Sequence, residues 1–125
     1  MKLSAIDAVR VFSDEFATTK DFYVDKLGLE IGFESEGVCV FDLPGTKLIL
    51  EEVDLSDPDT VGFAGRFTGV SFSVLDIKAT YKALKAKGVP FSGKPVFEEW
   101  GGALAHFSDP VNNGYTLIQY PEPKE

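Results

Sequence analysis

One cysteine, one histidine, one methionine and one tryptophan occur in 125 residues, and each scarcity removes a class of chemistry. A single Cys39 cannot close an intramolecular disulfide or build a multi-cysteine metal centre. A single His106 excludes a multi-histidine site within one chain. Basic residues are few, 12 Lys and Arg against 20 Asp and Glu, and they are scattered along a chain of formal charge −8. Neutralising phosphates takes a basic patch, so nucleic acid is excluded as a partner. No apolar run reaches membrane-spanning length and no leader-like segment is visible. The expectation is a cytoplasmic protein with no membrane partner.

What the chain does have is a repeat. Ala8-Val9-Arg10-Val11 is followed by a helical stretch ending in Lys26-Leu27-Gly28-Leu29; Gly69-Val70-Ser71-Phe72 is followed by one ending in Ala86-Lys87-Gly88-Val89. The offset is roughly 60 residues, the mark of a duplicated strand–helix–strands unit. Neither half has enough surface to bury alone, so one domain is expected, with modules at about 4–53 and 67–121 and a linker at 54–66. The spacing predicts strands at Ile6–Phe12, Glu30–Ser35, Val38–Leu43 and Lys47–Val53. A helix spans about Ala17–Lys26, with Ser13 or Asp14 available as its cap and Phe16, Tyr23 and Leu27 on its buried face. The second half predicts a strand at Gly69–Val74, a helix at Ile77–Lys87, and strands around Lys94–Glu98, Ala103–Ser108 and Tyr115–Tyr120. Gly28 and Gly88 are placed to end the helices in the left-handed conformation. Pro121–Glu125 reads as a frayed tail.

Alternation along the strands sorts the side chains by face. Val9, Val11, Leu48, Leu50, Val70, Phe72 and Leu117 are expected under the helices. Ala8, Arg10, Phe12, Ile49, Glu51, Gly69, Ser71, Ser73, Thr116 and Ile118 are left for the other face, a mixed wall suited to an organic molecule. Phe33 and Phe41 are assigned to the core, and Cys39, inside an apolar run, to a buried and inert position. Arg10 on an inner face needs an anionic ligand or an ion-pair partner, and Glu51 is in reach. Glu51 and His106 are the two candidate catalytic groups, and the face of His106 stays open. Trp100, between Glu98-Glu99 and Gly101-Gly102, is expected at a rim where it can stack on a ligand.

These motifs resemble the vicinal oxygen chelate superfamily of glyoxalase I, extradiol dioxygenases and bleomycin-resistance proteins. The resemblance rests on Phe22-Tyr23 with Leu27-Gly28-Leu29, on Gly69–Ile77, and on Trp100-Gly101-Gly102 leading through Phe107-Ser108-Asp109-Pro110 to Leu117-Ile118-Gln119. It implies an α+β fold in which two paired βαβββ modules form a curved, cup-shaped mixed sheet with helices outside, usually within a homodimer. In metal-dependent members of the superfamily that this chain resembles, a divalent ion is held by one residue from each of four strands. The corresponding positions here are Ala8, Glu51, Gly69 and Thr116, of which Glu51 alone is a strong ligand type, so no metal and no other cofactor is expected.

The reading is therefore a non-metal, small-molecule binding or sequestration protein of the bleomycin-resistance type, with Arg10, Phe12, Glu51, Ser71, Trp100, Thr116 and Ile118 as the ligand-binding set. The alternative is a glyoxalase-like lyase or isomerase, or a dioxygenase-related enzyme, with a divalent metal at a degenerate site. Ligand identity and the pairing of modules across a dimer lie beyond the sequence.

Overall fold

The computed structural model describes residues 1–122; residues 123–125 of the expected tail lie outside the described residues. The chain divides into two compact units, Met1–Gly65 and Arg66–Glu125, each built as βαβββ. The class is α+β, as expected.

In the first unit β1 (Ala8–Ser13), β2 (Glu30–Ser35), β3 (Val38–Leu43) and β4 (Thr46–Glu52) form a four-stranded sheet in the order β1-β4-β3-β2. The β1–β4 pair is parallel and the other two are antiparallel. Val11, Leu48, Leu50, Cys39 and Phe41 share one buried face, where Tyr23 of the helix packs on Phe41 and Phe22 packs on Tyr23. Burying each such side chain contributes about 1.5–3 kcal/mol. Strand β1 begins at Ala8 rather than Ile6. The carbonyls of Ile6 and Asp7 instead accept the Thr46 hydroxyl, each at 3.1 Å.

The first helix, α1 (Phe16–Asp21), runs directly into a π-helical turn, Phe22–Lys26. There the Leu27 N–H reaches five residues back to the Phe22 carbonyl at 3.2 Å. The wider turn points two consecutive aromatics inward, Phe22 at 4% and Tyr23 at 0% exposure. This corrects the expected buried stripe, because Phe16 and Leu27 on the 3.6-residue period are only half-buried. Neither Ser13 nor Asp14 caps the helix, whose N-cap position is Glu15 without a side-chain cap; Ser13 instead braces the turn that leads into it. Its buried hydroxyl accepts the Glu15 N–H at 2.9 Å and shares a 2.8 Å hydrogen bond with Thr19. Gly28, at φ +72°, closes the far end.

The outer strand β2 is exposed along its whole length, with a register shift between Ile31 and Phe33. Phe33 therefore departs from its expected core position. It pairs with Val40 on the face away from α1 and is 60% exposed. Residues 54–65, read as a linker, fold on themselves. Asp54 and Asp57 side chains accept backbone N–H groups two residues on, and the Thr60 hydroxyl donates to the Asp54 carbonyl at 2.9 Å.

The second unit repeats the plan with β5 (Phe67–Ser73), α2 (Ile77–Ala86), β6 (Val96–Phe97), β7 (Ala103–Ser108) and β8 (Gly114–Gln119), ordered β5-β8-β7-β6. Its core holds Ile77, Val89, Ala103, Ala105, Phe107, Tyr115 and Leu117. Asp76 caps α2 by accepting the Ala79 N–H at 3.0 Å, and the Gln119 side chain takes the Ile77 N–H at 2.7 Å. Strand β6 is shorter than expected, since Pro95 brings no N–H to a ladder. Pro90–Ser92 runs along β7 instead, joined by Ser92 N–H to the His106 carbonyl and Ser108 N–H to the Pro90 carbonyl. Buried Asp109 organises the last turn, accepting N–H groups from Val111 and Asn113 and the Asn113 side-chain amide at 2.8 Å. Among the described residues no helix is long and apolar enough to cross a membrane.

Candidate functional site

Each sheet has one face under its helix and one face open, and the candidate residues divide between the two open faces. In the first unit the β1–β4 register sets Arg10 beside Ile49 and Phe12 beside Glu51, while β3 adds Val38 and Val40 to the same side. Ala8 belongs to this face by alternation.

Arg10 and Glu51 form a two-pronged ion pair. Arg10 Nε donates to Glu51 Oε2 at 2.5 Å, and Nη2 donates to Oε1 at 3.1 Å. The Arg10 side chain is 61% exposed and that of Glu51 is 23% exposed, so the pair lies at the surface of the face. The hydrogen bond to Glu51, followed by its charge, raises the guanidinium above its ordinary range. Among the described residues Nη1 makes no hydrogen bond, which leaves its two donors available. The guanidinium carbon lies 5.4 Å from the centre of the Phe12 ring.

Phe63, from the folded 54–65 segment, packs on Phe12 with ring centres 5.0 Å apart and planes at 52°. It is 41% exposed and was not among the expected site residues. The available signal was an aromatic side chain inside an otherwise Asp-, Gly- and Pro-rich stretch. The fold thus joins Arg10, Phe12, Glu51 and Phe63 in one cluster.

In the second unit the open face carries Ser71, Ser73, Thr116 and Ile118, with Leu104 and His106 on the adjoining strand. The register settles the face of His106: it lies opposite Thr116, and its Nδ1 is 2.9 Å from the Thr116 hydroxyl. Thr116 is nearly buried at 5% exposure, whereas His106 is exposed. Ser71 pairs with Thr116 from the other side, giving a polar row across three strands. Gly69, at φ +77°, lies in the irregular stretch of β5 between Phe67 and Ser71 and offers no side chain. Phe91, Phe67 and His106 line an open recess of about 540 Å³, and a smaller one of about 260 Å³ lies against Leu104 and Val96.

Trp100 is 49% exposed on the turn before β7, where the Glu98 N–H donates to the Gly102 carbonyl at 2.8 Å. Its ring lies over Gly102, so closely that a Cβ there would collide with it, and its aromatic neighbour is Tyr120 at 6.3 Å. Trp100 makes no ring contact with the His106–Thr116 row among the described residues.

The donors at the four family metal positions do not fit a divalent ion. Ala8 and Gly69 have no ligand atom, the Thr116 hydroxyl is bonded to His106, and both Glu51 oxygens are bonded to Arg10. Cys39 is fully buried, and burial, then the nearby Glu34 charge, pushes its thiol up to about 11, with Lys20 acting in the opposite direction. At neutral pH it carries no nucleophilic thiolate.

Comparison with known proteins gives a consistent result. The family model described as Glyoxalase/Bleomycin resistance protein/Dioxygenase superfamily matches residues 5–117. Uncharacterized protein YraH of Bacillus subtilis (strain 168) is 34% identical over 115 residues, covering 84% of this chain and 90% of its own. Among solved structures, TnmS3, an antibiotic binding protein from a Streptomyces species, matches with a TM-score of 0.76 at 28% identity, over 98% of this chain and 99% of that one. A lactoylglutathione lyase from Agrobacterium tumefaciens matches with a TM-score of 0.72 over 95% of this chain and 96% of that one. Its 19% identity makes this a likeness of fold.

Proposed function

The chain belongs to the glyoxalase/bleomycin resistance protein/dioxygenase superfamily, and on that premise we propose that it binds and sequesters a small organic molecule without a metal ion. The observation that carries this reading is the engagement of Glu51. The one strong ligand among the family metal positions is neutralised through both oxygens by Arg10. A carboxylate so engaged is withdrawn from metal ligation and from service as a general base. What is left on the open faces is recognition chemistry: aromatic rings, aliphatic side chains and a few oriented donors. Near full-length similarity to TnmS3, itself an antibiotic binding protein, supports a binder. The protein works as a cytoplasmic homodimer in this proposal, and it requires no cofactor.

The first test is elemental analysis after incubation with nickel, zinc, manganese or iron(II), followed by desalting. Retained metal well below one ion per chain is the expected result. Close to one ion per chain, lost in Glu51→Gln, would overturn the reading. The second test is titration calorimetry of chelator-treated protein with bleomycin and with uncharged polyaromatic antibiotics. A ligand from that panel is expected to bind the metal-free protein, and binding that requires added metal would count against the proposal.

A further inference from the structure

The ion pair that displaces metal chemistry also selects a ligand. We propose that the first unit recognises a planar aromatic molecule through an uncharged carbonyl oxygen, which accepts from Arg10 Nη1 while the ring lies against Phe63 and Phe12. The inference rests on the binder reading above and names the ligand class for it.

Three observations lead there. First, Nε–H and one N–H of Nη2 of Arg10 are committed to Glu51, so the guanidinium presents its remaining edge, Nη1 with the second N–H of Nη2, on a side chain that is 61% exposed. Glu51 fixes the orientation of that edge, and a fork held in place loses less freedom on binding. Second, the edge lies beside aromatic surface, with the Arg10 guanidinium 5.4 Å from the Phe12 ring centre and the Phe63 ring 5.0 Å from Phe12. Phe63 is delivered by a segment braced by its own hydrogen bonds, including Phe63 N–H to the Thr60 carbonyl at 3.0 Å, so the aromatic surface is preformed. Ile49 and Val40 continue the apolar surface along the same face.

Third, the charge balance decides between a neutral acceptor and an anion. An acceptor on Nη1 lies about 3 Å from its donor, on a guanidinium whose charge is already paired with Glu51. The paired carboxylate repels a full anion, so the net attraction an anion feels there is smaller than at an unpaired arginine. An anion must also shed its hydration, and it approaches a chain of net charge −8. A carbonyl oxygen loses little on desolvation and still receives a charge-assisted hydrogen bond. The neutral acceptor is favoured, and Glu51 is the residue that sets the preference.

The experiment uses three matched probes, fluorenone, fluorene (which lacks the carbonyl) and fluorenone-2-carboxylate. Each is titrated into full-length metal-free protein and followed by the Arg10 Nε–H resonance and by calorimetry. Fluorenone is expected to bind about tenfold more tightly than either of the others. Phe63→Ala should weaken fluorenone and fluorene alike, by about fivefold. Arg10→Met should erase the advantage of fluorenone over fluorene. Glu51→Gln keeps the shape of the site and removes the charge, so the carboxylate should gain about tenfold while fluorenone changes less than threefold. Tighter binding of the carboxylate to the wild type, or equal binding of fluorenone and fluorene, overturns the ligand class and leaves the binder reading standing. Failure of all three to bind at millimolar concentration, together with failure of the antibiotic panel, overturns both.

Discussion

The two units share a plan on their buried faces and part company on their open ones. Both sheets run in the same strand order, both pair their first and last strands in parallel, and both helices stop at a glycine with positive φ, Gly28 and Gly88. Under the helices the first unit buries Leu48, Leu50 and Phe41, and the second buries Ala105, Tyr115 and Leu117. On the open side the first unit has a charged fork with aromatic neighbours, and the second has a row of polar side chains, Ser71, Thr116 and His106. Packing constrains the buried face of every copy equally, because each lost contact there costs stability. The open face carries no such constraint, so divergence between the copies collects there.

The comparison can be broken most directly in the cores. Phe41→Ala and Tyr115→Ala each remove a fully buried ring and should each cost about 3–5 kcal/mol in urea denaturation. A cost confined to one of them would show that the two buried faces are not equivalent.

Cys39 gives the next largest effect, and it belongs to the first unit alone. Its thiol is pushed up from 9.0 to about 11 in the folded state. Below that window both states keep the proton. As the pH rises through it, the unfolded chain ionises first, so stability is lost with increasing pH, by about 3 kcal/mol at most. Chemical denaturation across the window should show this loss in the wild type and a flatter profile in Cys39→Ala. Parallel profiles would remove the thiol from the account.

The helix starts sharpen the comparison at smaller scale. Ser13→Ala should cost about 1–2 kcal/mol, because it strips a buried partner from Thr19 and from the Glu15 N–H. Asp76→Ala should cost about 1 kcal/mol, since the Gln119 side chain continues to hold the Ile77 N–H. Thermal melts of the two variants would rank them. On the open faces, Arg10→Met and His106→Gln should leave the urea midpoint unchanged within error. A large shift from either would assign that residue to the scaffold.

Much of the fold was legible because alternation reports burial directly. Val11, Leu48 and Leu50 are apolar every second residue, and the helix-ending glycines are needed for their φ. The π-helical turn was not legible, since Phe22-Tyr23 fits an ordinary helix with one aromatic inward, and Tyr23 contact with Phe41 decides that both go in. Arg10 and Glu51 could be assigned to one face from their strands, but whether they touch depends on the β1–β4 register. His106 had no face until the β7–β8 register was known. Phe63 lay in a segment without periodicity, where nothing local signals which surface a ring will find.

The bare outer strand β2 has a consequence for the protein in concentrated solution. An uncovered strand is a template on which an identical strand can add, and repeated addition makes fibres. Here the edge carries Glu30 and Glu34 and breaks its register between Ile31 and Phe33, with Gly32 so close to the Asp42 carboxylate that a side chain there would collide with it. Two copies laid edge to edge would bring carboxylates together along a kinked ladder. Each of these features of the strand works against edge-to-edge addition.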